Sequence, residues 1–474
     1  MTNLADLTAT ALSDAFAAGT LSPVEVMEAV LDRVERLEPL LHATYALDGD
    51  GALAAARLSE ERWRKGAALG PLDGLPVTLK ELIATRGVPK PMGTAAVELI
   101  PQPEDAPITA RLREAGAIAF TKTTVPDYGM LSSGLSSFHP LTRNPWDLSR
   151  NPGGSSAGAG AAAAAGYGPL HVGTDIGGSV RLPAGWCGVF GFKPNNGRIP
   201  IDPPYMGRSA GPMTRTVDDA ALLMTVISRP DARDFMSLPP ADLPWRNLAG
   251  DVRGLRFGLM LDAGCGSPTE PEVAEAVTAA ARLFEQAGAV VEPMAPFVTP
   301  EMFDGFDHFF RMRFWAETKD LPQDRYRKIL PYIRAWVEPA AAYDAMTIYS
   351  GFSGLMAIRE QGVRASQAYD YILSPVAPMP AFAAELPSPN NDPARPFDHI
   401  GFTMPFNMTE QPASSINCGY TSTGLPIGLQ IVGRRFDDMG VLRVSRWFED
   451  ARGPQRPWSE LSELLEGSAQ VRGS

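Results

Sequence analysis

The stretch NPGGSSAGAGAAAAAGYGPLHVGTDIGGSVR, from Asn151 to Arg181, carries two serine-bearing glycine loops, at 153–156 and 177–179, joined by a run of small residues. Glycines ahead of a serine let the backbone turn at φ > 0 and bring main-chain N–H groups close to a ligand that a side chain would hold off. Residues 158–166 are almost all alanine and glycine. A helix of that composition fits where other backbones press close, so it reads as a buried central helix and not as a linker. Two such loops in one stretch predict a paired-serine site.

A serine hydroxyl is a poor nucleophile until a base takes its proton, and the usual base is histidine. The five histidines (42, 139, 171, 308 and 399) lie in no recognisable catalytic context. Lysine is the other choice, provided that burial lowers its pKa from about 10.4 toward neutrality. Lys80 ends PLDGLPVTLK, in which the apolar, β-branched VTL reads as a buried strand whose last residue is desolvated. Spacing alone leaves open a surface lysine at a strand exit.

Six blocks in order along the chain extend this reading: GPLDGLPVTLK (70–80), LREAGAIAFTKTTVPD (112–127), TRNPWDLSRNPGGSSAG (142–158), GTDIGGSVRLPAGWCGVFGFKP (173–194), GPMTRTVDDAALL (211–223) and FNMTEQPASSINCGYTSTGLPIGLQIVG (406–433). Together they closely resemble the amidase signature family. The resemblance implies an α/β fold, an α/β/α arrangement around a central mixed sheet. It places Lys80 as the base, Ser155 as a bridging serine after a cis peptide bond, and Ser179 as the nucleophile, 24 residues beyond Ser155. Neutral Lys80 would take a proton from Ser155 while Ser155 takes one from Ser179, and Ser179 would attack the carbonyl carbon. The relay run backwards would protonate the departing amine, since an amide nitrogen does not leave as an anion. The N–H groups of Ile176, Gly177, Gly178 and Ser179 would form the oxyanion hole, and water would hydrolyse the acyl-enzyme.

The resemblance also makes Asp175 and Arg181 supports of the nucleophile loop, where an ordinary surface ion pair is the plain alternative. Gly129, Met130 and Leu131 would border the acyl side of the site through their backbone. No cofactor and no metal is expected. Two positions depart from the family pattern: Glu81 stands where aspartate commonly follows the lysine, and Glu410-Gln411 replace a Gly-Leu or Gly-Tyr pair in a segment that often borders the pocket.

Composition narrows the partners. The chain has 474 residues, 45% hydrophobic and 20% charged, ample for a large core. A net charge of -12 argues against nucleic acid, which needs clustered Lys and Arg. The three cysteines (187, 265 and 418) form no metal-binding or disulfide pattern. No basic leader precedes an apolar run, and no apolar stretch approaches about 20 residues, so neither a signal peptide nor a spanning helix is expected. The expected setting is a reduced cytoplasm, without nucleic acid or membrane as partner, for a monomer or homodimer.

A single domain over 1–474 is expected, with N-terminal helices at 1–66, a core with the catalytic motifs at 67–300, an aromatic-rich helical lid or pocket region at 301–372 and a completion of the core at 373–474. Ser22-Pro23-Val24-Glu25 combine an N-cap, a first-turn proline and a capping-box glutamate. Val26, Met27, Val30, Leu31, Val34 and Leu37 follow at helical spacing. Short β-rich runs alternate with helical ones from Gly70 to about Lys193, and a further β-α-β unit spans LRFGLM to AVVEPM. Residues 199–250 read as loop-rich around the helix TVDDAALLMTVIS, and the last ten residues as a frayed end. Residues 301–372 hold 14 aromatics in 72 residues, against 8% aromatic overall. Core packing and an aromatic pocket lining are the two readings of that density.

Two other patterns occur. Gly158-x-Gly160-x-x-Ala163 imitates a dinucleotide fingerprint, but no strand precedes it. GSSAG at 154–158 matches the nucleophile elbow of α/β-hydrolases, with Ser156 as nucleophile and His399 as the one late histidine suited to it. The expected function is hydrolysis of C–N acyl bonds in small-molecule substrates, amides of hydrophobic or aryl character and carbamates (urethanes). The alternatives are an amidotransferase component that releases ammonia from glutamine or asparagine, an esterase using Ser156, and a silent scaffold. A scaffold would have no physical need for Lys80, Ser155 and Ser179 together.

Overall fold

The apolar run Pro76–Lys80 is fully buried and forms one strand of an 11-stranded mixed sheet. The structure, a computed structural model, describes residues 3–473. The strands are Thr44–Tyr45 (β1), Pro76–Lys80 (β2), Ile118–Thr123 (β3), Leu170–Asp175 (β4), Phe190–Lys193 (β5), Ser209–Thr214 (β6), Arg256–Leu259 (β7), Val290–Pro293 (β8), Tyr371–Pro375 (β9), Ala413–Tyr420 (β10) and Pro426–Gly433 (β11). Their order is β1-β3-β2-β4-β6-β5-β10-β11-β9-β7-β8. The pairs β2–β3, β2–β4, β7–β8 and β7–β9 are parallel and the rest antiparallel. This is the expected α/β architecture, and the β-α-β unit at 255–294 extends the same sheet.

The N-terminal region forms helices Ala9–Ala18 (α1), Pro23–Leu41 (α2) and Gly49–Arg64 (α3). The capping box at Ser22 and Glu25 is present. The apolar stripe of α2 packs in one cluster with Ile118 and Phe120 of β3 and with the alanine-rich helix Ala157–Ala165 (α5). The intervening α4 spans Pro107–Glu114. Every residue of α5 is buried, and the reason is steric: a Cβ on Gly158 would stand 2.1 Å from Ala43 O, and one on Gly160 would stand 3.0 Å from Pro183 Cβ. The helix is a wedge between the backbone at Ala43 and the helix Arg181–Cys187 (α6).

Beyond it come Val217–Ile227 (α7), Pro271–Gln286 (α8), Pro300–Thr318 (α9), Gln323–Tyr326 (α10), Pro331–Val337 (α11) and Ala345–Ser366 (α12). Most aromatics of 301–372 pack on one another: the rings of Phe306 and Phe310 lie 4.4 Å apart, Phe314 and Trp336 5.5 Å, and Trp336 and Phe397 5.0 Å. Core packing therefore explains most of that density. A Cβ on Gly351 would meet Gly305 O at 2.8 Å, so this glycine lets α9 and α12 cross closely. The chain closes with Pro405–Met408 (α13), Asp438–Ala451 (α14) and Trp458–Gly473 (α15).

Four features differ from the sequence reading. Strand β6 lies within the stretch read as loop-rich, where its glycine and proline hide it: a Cβ on Gly211 would stand 1.9 Å from Phe192 O, so only glycine fits. Strand β10 and the two-residue β1 carry no strong alternation. The C-terminal end expected to fray is helical through Gly473. Glu410 turns at φ +64 and binds Arg435 and Arg359, while Gln411 binds Ser366 and Gly433 O. Neither lines the cavity at the paired serines. Among the described residues no helix is long and apolar enough to cross a membrane.

Candidate active site

Lys80 closes β2 and Asp175 closes β4. With Val77 opposite Leu170 and Leu79 opposite Val172 in parallel register, both strands end on one side of the sheet, where α/β sheets bind ligands. Lys80 has no exposed surface. Its Nζ lies 2.8 Å from Ser155 Oγ and donates to Thr174 O at 3.3 Å. Burial holds this amine well below the ordinary lysine range and the charge of Arg208 pushes the same way, against the opposing pull of Asp175 and Glu81. A neutral Nζ there keeps its lone pair for the Ser155 proton. The surface-lysine reading does not hold.

Ser155 follows a cis peptide bond from Gly154, as the resemblance implies. A Cβ on Gly154 would stand 2.5 Å from Ser133 N and 2.8 Å from Leu131 O, so the turn admits only glycine. The Ser156 N–H donates to Ser179 O at 3.3 Å and ties the two serine loops together. Ser155 and Ser179 then open onto one cavity of ≈ 260 Å³, with buried Lys80 behind Ser155.

The nucleophile loop is held from beneath. Asp175 and Arg181 are both buried and meet through two bonds, Nη2 to Oδ1 at 2.9 Å and Nε to Oδ2 at 3.0 Å. Asp175 also accepts the N–H of Gly178 at 2.8 Å and of Val180 at 3.1 Å. Arg181 goes on to Thr403 O, Gln430 Oε1 and Asn407 Oδ1. Burial acts to raise the Asp175 carboxyl, but Arg181, Asn407 and Lys193 outweigh it and hold the group well below the usual carboxylate range. This is a buried support, not a surface ion pair.

One of the four N–H groups expected in an oxyanion hole is engaged elsewhere. The Gly178 N–H is committed to Asp175 and is not free for a ligand. The N–H groups of Ile176, Gly177 and Ser179 have no partner among the described residues, so three of the four expected donors remain. Gly178 turns at φ +125, and a Cβ there would stand 2.4 Å from Thr403 Oγ1. Gly178→Ala is therefore expected to displace the N–H groups of this loop and, if they receive the oxyanion, to lower kcat on the order of 10²-fold. Steady-state kinetics that showed a raised KM at unchanged kcat would contradict that placement.

Of the three residues expected on the acyl side, Gly129 lines the cavity, and a Cβ on it would stand 3.4 Å from Ser155 Oγ. Met130 and Leu131 do not line it; they are buried with Leu182, Trp186 and the aromatics of α9. The cavity is completed by Leu82, Met92, Tyr128, Pro203 and Phe314, and by the charged Lys90, Arg208, Arg313 and Glu317. Asn407 and Gln430 fall in a quoted sequence block, but nothing in their spacing marks them as partners of Arg181. The departure at Glu81 is met by His139: Glu81 binds His139 Nε2 and accepts the Gly93 N–H at 2.7 Å.

Ser156 is not set up as a nucleophile. Its Oγ donates to Thr174 O at 3.2 Å and accepts from Thr174 N at 3.3 Å, it is fully buried, and no strand runs into it. His399 stacks on Trp186, with burial pushing its imidazole down to about 3.

A family profile described as Amidase matches residues 25–442. The chain belongs to the amidase signature family. This amidase acts on C–N amide bonds as a serine enzyme. It is 36% identical over 476 residues to a glutamyl-tRNA(Gln) amidotransferase subunit from Chloroflexus aggregans, covering 94% of this chain and 96% of that one. A protein of the same description from Myxococcus xanthus is 36% identical over 487 residues, covering 94% and 97%. Among solved structures, a bacterial aryl acylamidase of the amidase signature family superposes with a TM-score of 0.88 at 29% identity, covering 97% of this amidase and 98% of that chain. A 6-aminohexanoate cyclic dimer hydrolase gives 0.86 at 26% identity, covering 96% and 99%.

Proposed function

We propose that this amidase hydrolyses amides of hydrophobic or aryl character, with carbamates as a second substrate group, through an acyl-enzyme on Ser179. Lys80 and Ser155 relay the proton out of Ser179 and back to the leaving amine, and the N–H groups of Ile176, Gly177 and Ser179 receive the oxyanion. The observation that carries the substrate class is the cavity wall. Leu82, Met92, Tyr128, Ile176, Pro203 and Phe314 surround the serines, and such a wall gains from burying an apolar body. Likeness to a protein named aryl acylamidase supports it. The enzyme acts alone in the cytoplasm, as a monomer or homodimer, without nucleic acid or membrane.

Likeness to a protein named as part of glutamyl-tRNA(Gln) amidotransferase supports a second reading, in which the chain releases ammonia from glutamine to a partner. Comparing kcat/KM of the purified chain on a 4-nitroanilide, on the matching aryl carbamate and on glutamine separates the two. The first reading expects aryl substrates to exceed glutamine. Faster turnover of glutamine, rising when a tRNA-binding partner is added, would replace it with the second.

A further inference from the structure

Three cationic side chains face the serine cavity, and they are not equivalent. Arg313, from α9, is bonded to Glu317 at 3.2 Å and lies over the ring of Tyr205. Lys90 and Arg208 have no carboxylate within ion-pair distance among the described residues, although both are half-buried. The Arg208 guanidinium donates to Pro203 O at 2.9 Å, a neutral acceptor that leaves its charge uncompensated. The acids that act on the two from a distance are Asp202, Asp234, Glu317 and Glu81. Three of these are engaged elsewhere: Asp234 accepts the N–H groups of Ile201 and Met236, Glu317 binds Arg313, and Glu81 binds His139 and Gly93. Asp202 is exposed to solvent.

Cations drawn partly out of water without a counter-ion are unfavourable unless something arrives to compensate them. Burial, with repulsion from Arg313, pushes Arg208 down to about 10, and burial with repulsion from Arg208 lowers Lys90. An anion between them would reverse both shifts. Both line the same ≈ 260 Å³ cavity as Ser155 and Ser179, within which an anionic group on a bound substrate would meet them.

We propose that Lys90 and Arg208 form an anion-recognition subsite, and that the preferred amide substrate carries a carboxylate held there while its acyl bond lies at Ser179. The proposal rests on the amidase reading above and narrows its substrate class. An apolar body lies against Leu82, Met92 and Phe314, and the carboxylate ends at the two cations.

The test compares glutaryl 4-nitroanilide (carboxylate on the acyl side), N-pentanoyl-4-aminobenzoate (carboxylate on the amine side) and pentanoyl 4-nitroanilide (no carboxylate), using the full chain. One acidic substrate is expected to exceed the neutral one in kcat/KM by on the order of tenfold or more, as charge-assisted bonds give, and the ratio should shrink with added salt. Arg208→Gln and, independently, Lys90→Gln are expected to lower that ratio chiefly through KM. The ratio is internal to each variant, so partial loss of folded enzyme does not imitate the effect. Turnover of the neutral anilide equal to or faster than both acidic substrates, or a ratio unmoved by both variants, overturns the subsite and leaves the amidase reading in place. No cleavage of any of the three overturns the proposed aryl-amide function and the subsite with it.

Discussion

Lys80→Met lowers kcat/KM for an anilide by roughly 10³- to 10⁴-fold, the scale of a general base lost from a coupled relay. The variant is expected to keep the fold. Below the unfolded lysine pKa of about 10.4, the unfolded chain holds a proton that buried Lys80 tends to shed, so the wild type loses stability by burying this amine and methionine relieves the loss. Urea unfolding of Lys80→Met is thus expected at a midpoint no lower than wild type, which separates lost chemistry from lost structure. The same lowered pKa sets the pH profile. In the proposed relay the base is neutral Lys80, so kcat/KM is expected to rise with pH through its folded-state pKa and then level off. Retention of more than a tenth of wild-type kcat/KM by Lys80→Met would remove the lysine from the relay.

Arg181→Met has the largest expected effect on stability. Both members of the Asp175–Arg181 pair are buried, and deleting the cation leaves a carboxylate in the core whose remaining hydrogen-bond partners are Asn407 and backbone N–H groups, with Lys193 acting on it only through its charge. Removing one partner of such a pair costs about 3–5 kcal/mol, read as a lower urea midpoint at unchanged slope. The double variant Arg181→Met/Asp175→Asn should recover part of the loss, because the stranded charge is gone. A single variant as stable as wild type would mean that water reaches Asp175 and that the pair does not hold the loop.

Much of the site could be read from the residues because its chemistry is local. Each serine sits beside its glycines, and Lys80 ends a run whose β-branched residues mark a buried strand. What could not be read is long-range. The acceptors around Arg181 come from Thr403, Asn407 and Gln430, more than 200 residues away, and no spacing announces them. The commitment of the Gly178 N–H to Asp175 depends on a φ of +125, which the sequence GGS allows but does not dictate. Strand β6 escaped because glycine and proline are poor strand formers on their own. The aromatic density at 301–372 admitted two readings because rings that fill a core and rings that line a pocket recur at the same helical spacing. Among the described residues of that region, α9 is the helix that reaches the cavity, through Arg313, Phe314 and Glu317.

The nucleophile itself is open to direct identification. Incubation with a serine-directed fluorophosphonate, followed by digestion and peptide mass spectrometry, should place a single adduct on Ser179, with labelling lost in Ser179→Ala and strongly slowed in Lys80→Met. An adduct on Ser156 or Ser155 in the wild type, or full anilide turnover by Ser179→Ala, would contradict a Ser179 acyl-enzyme.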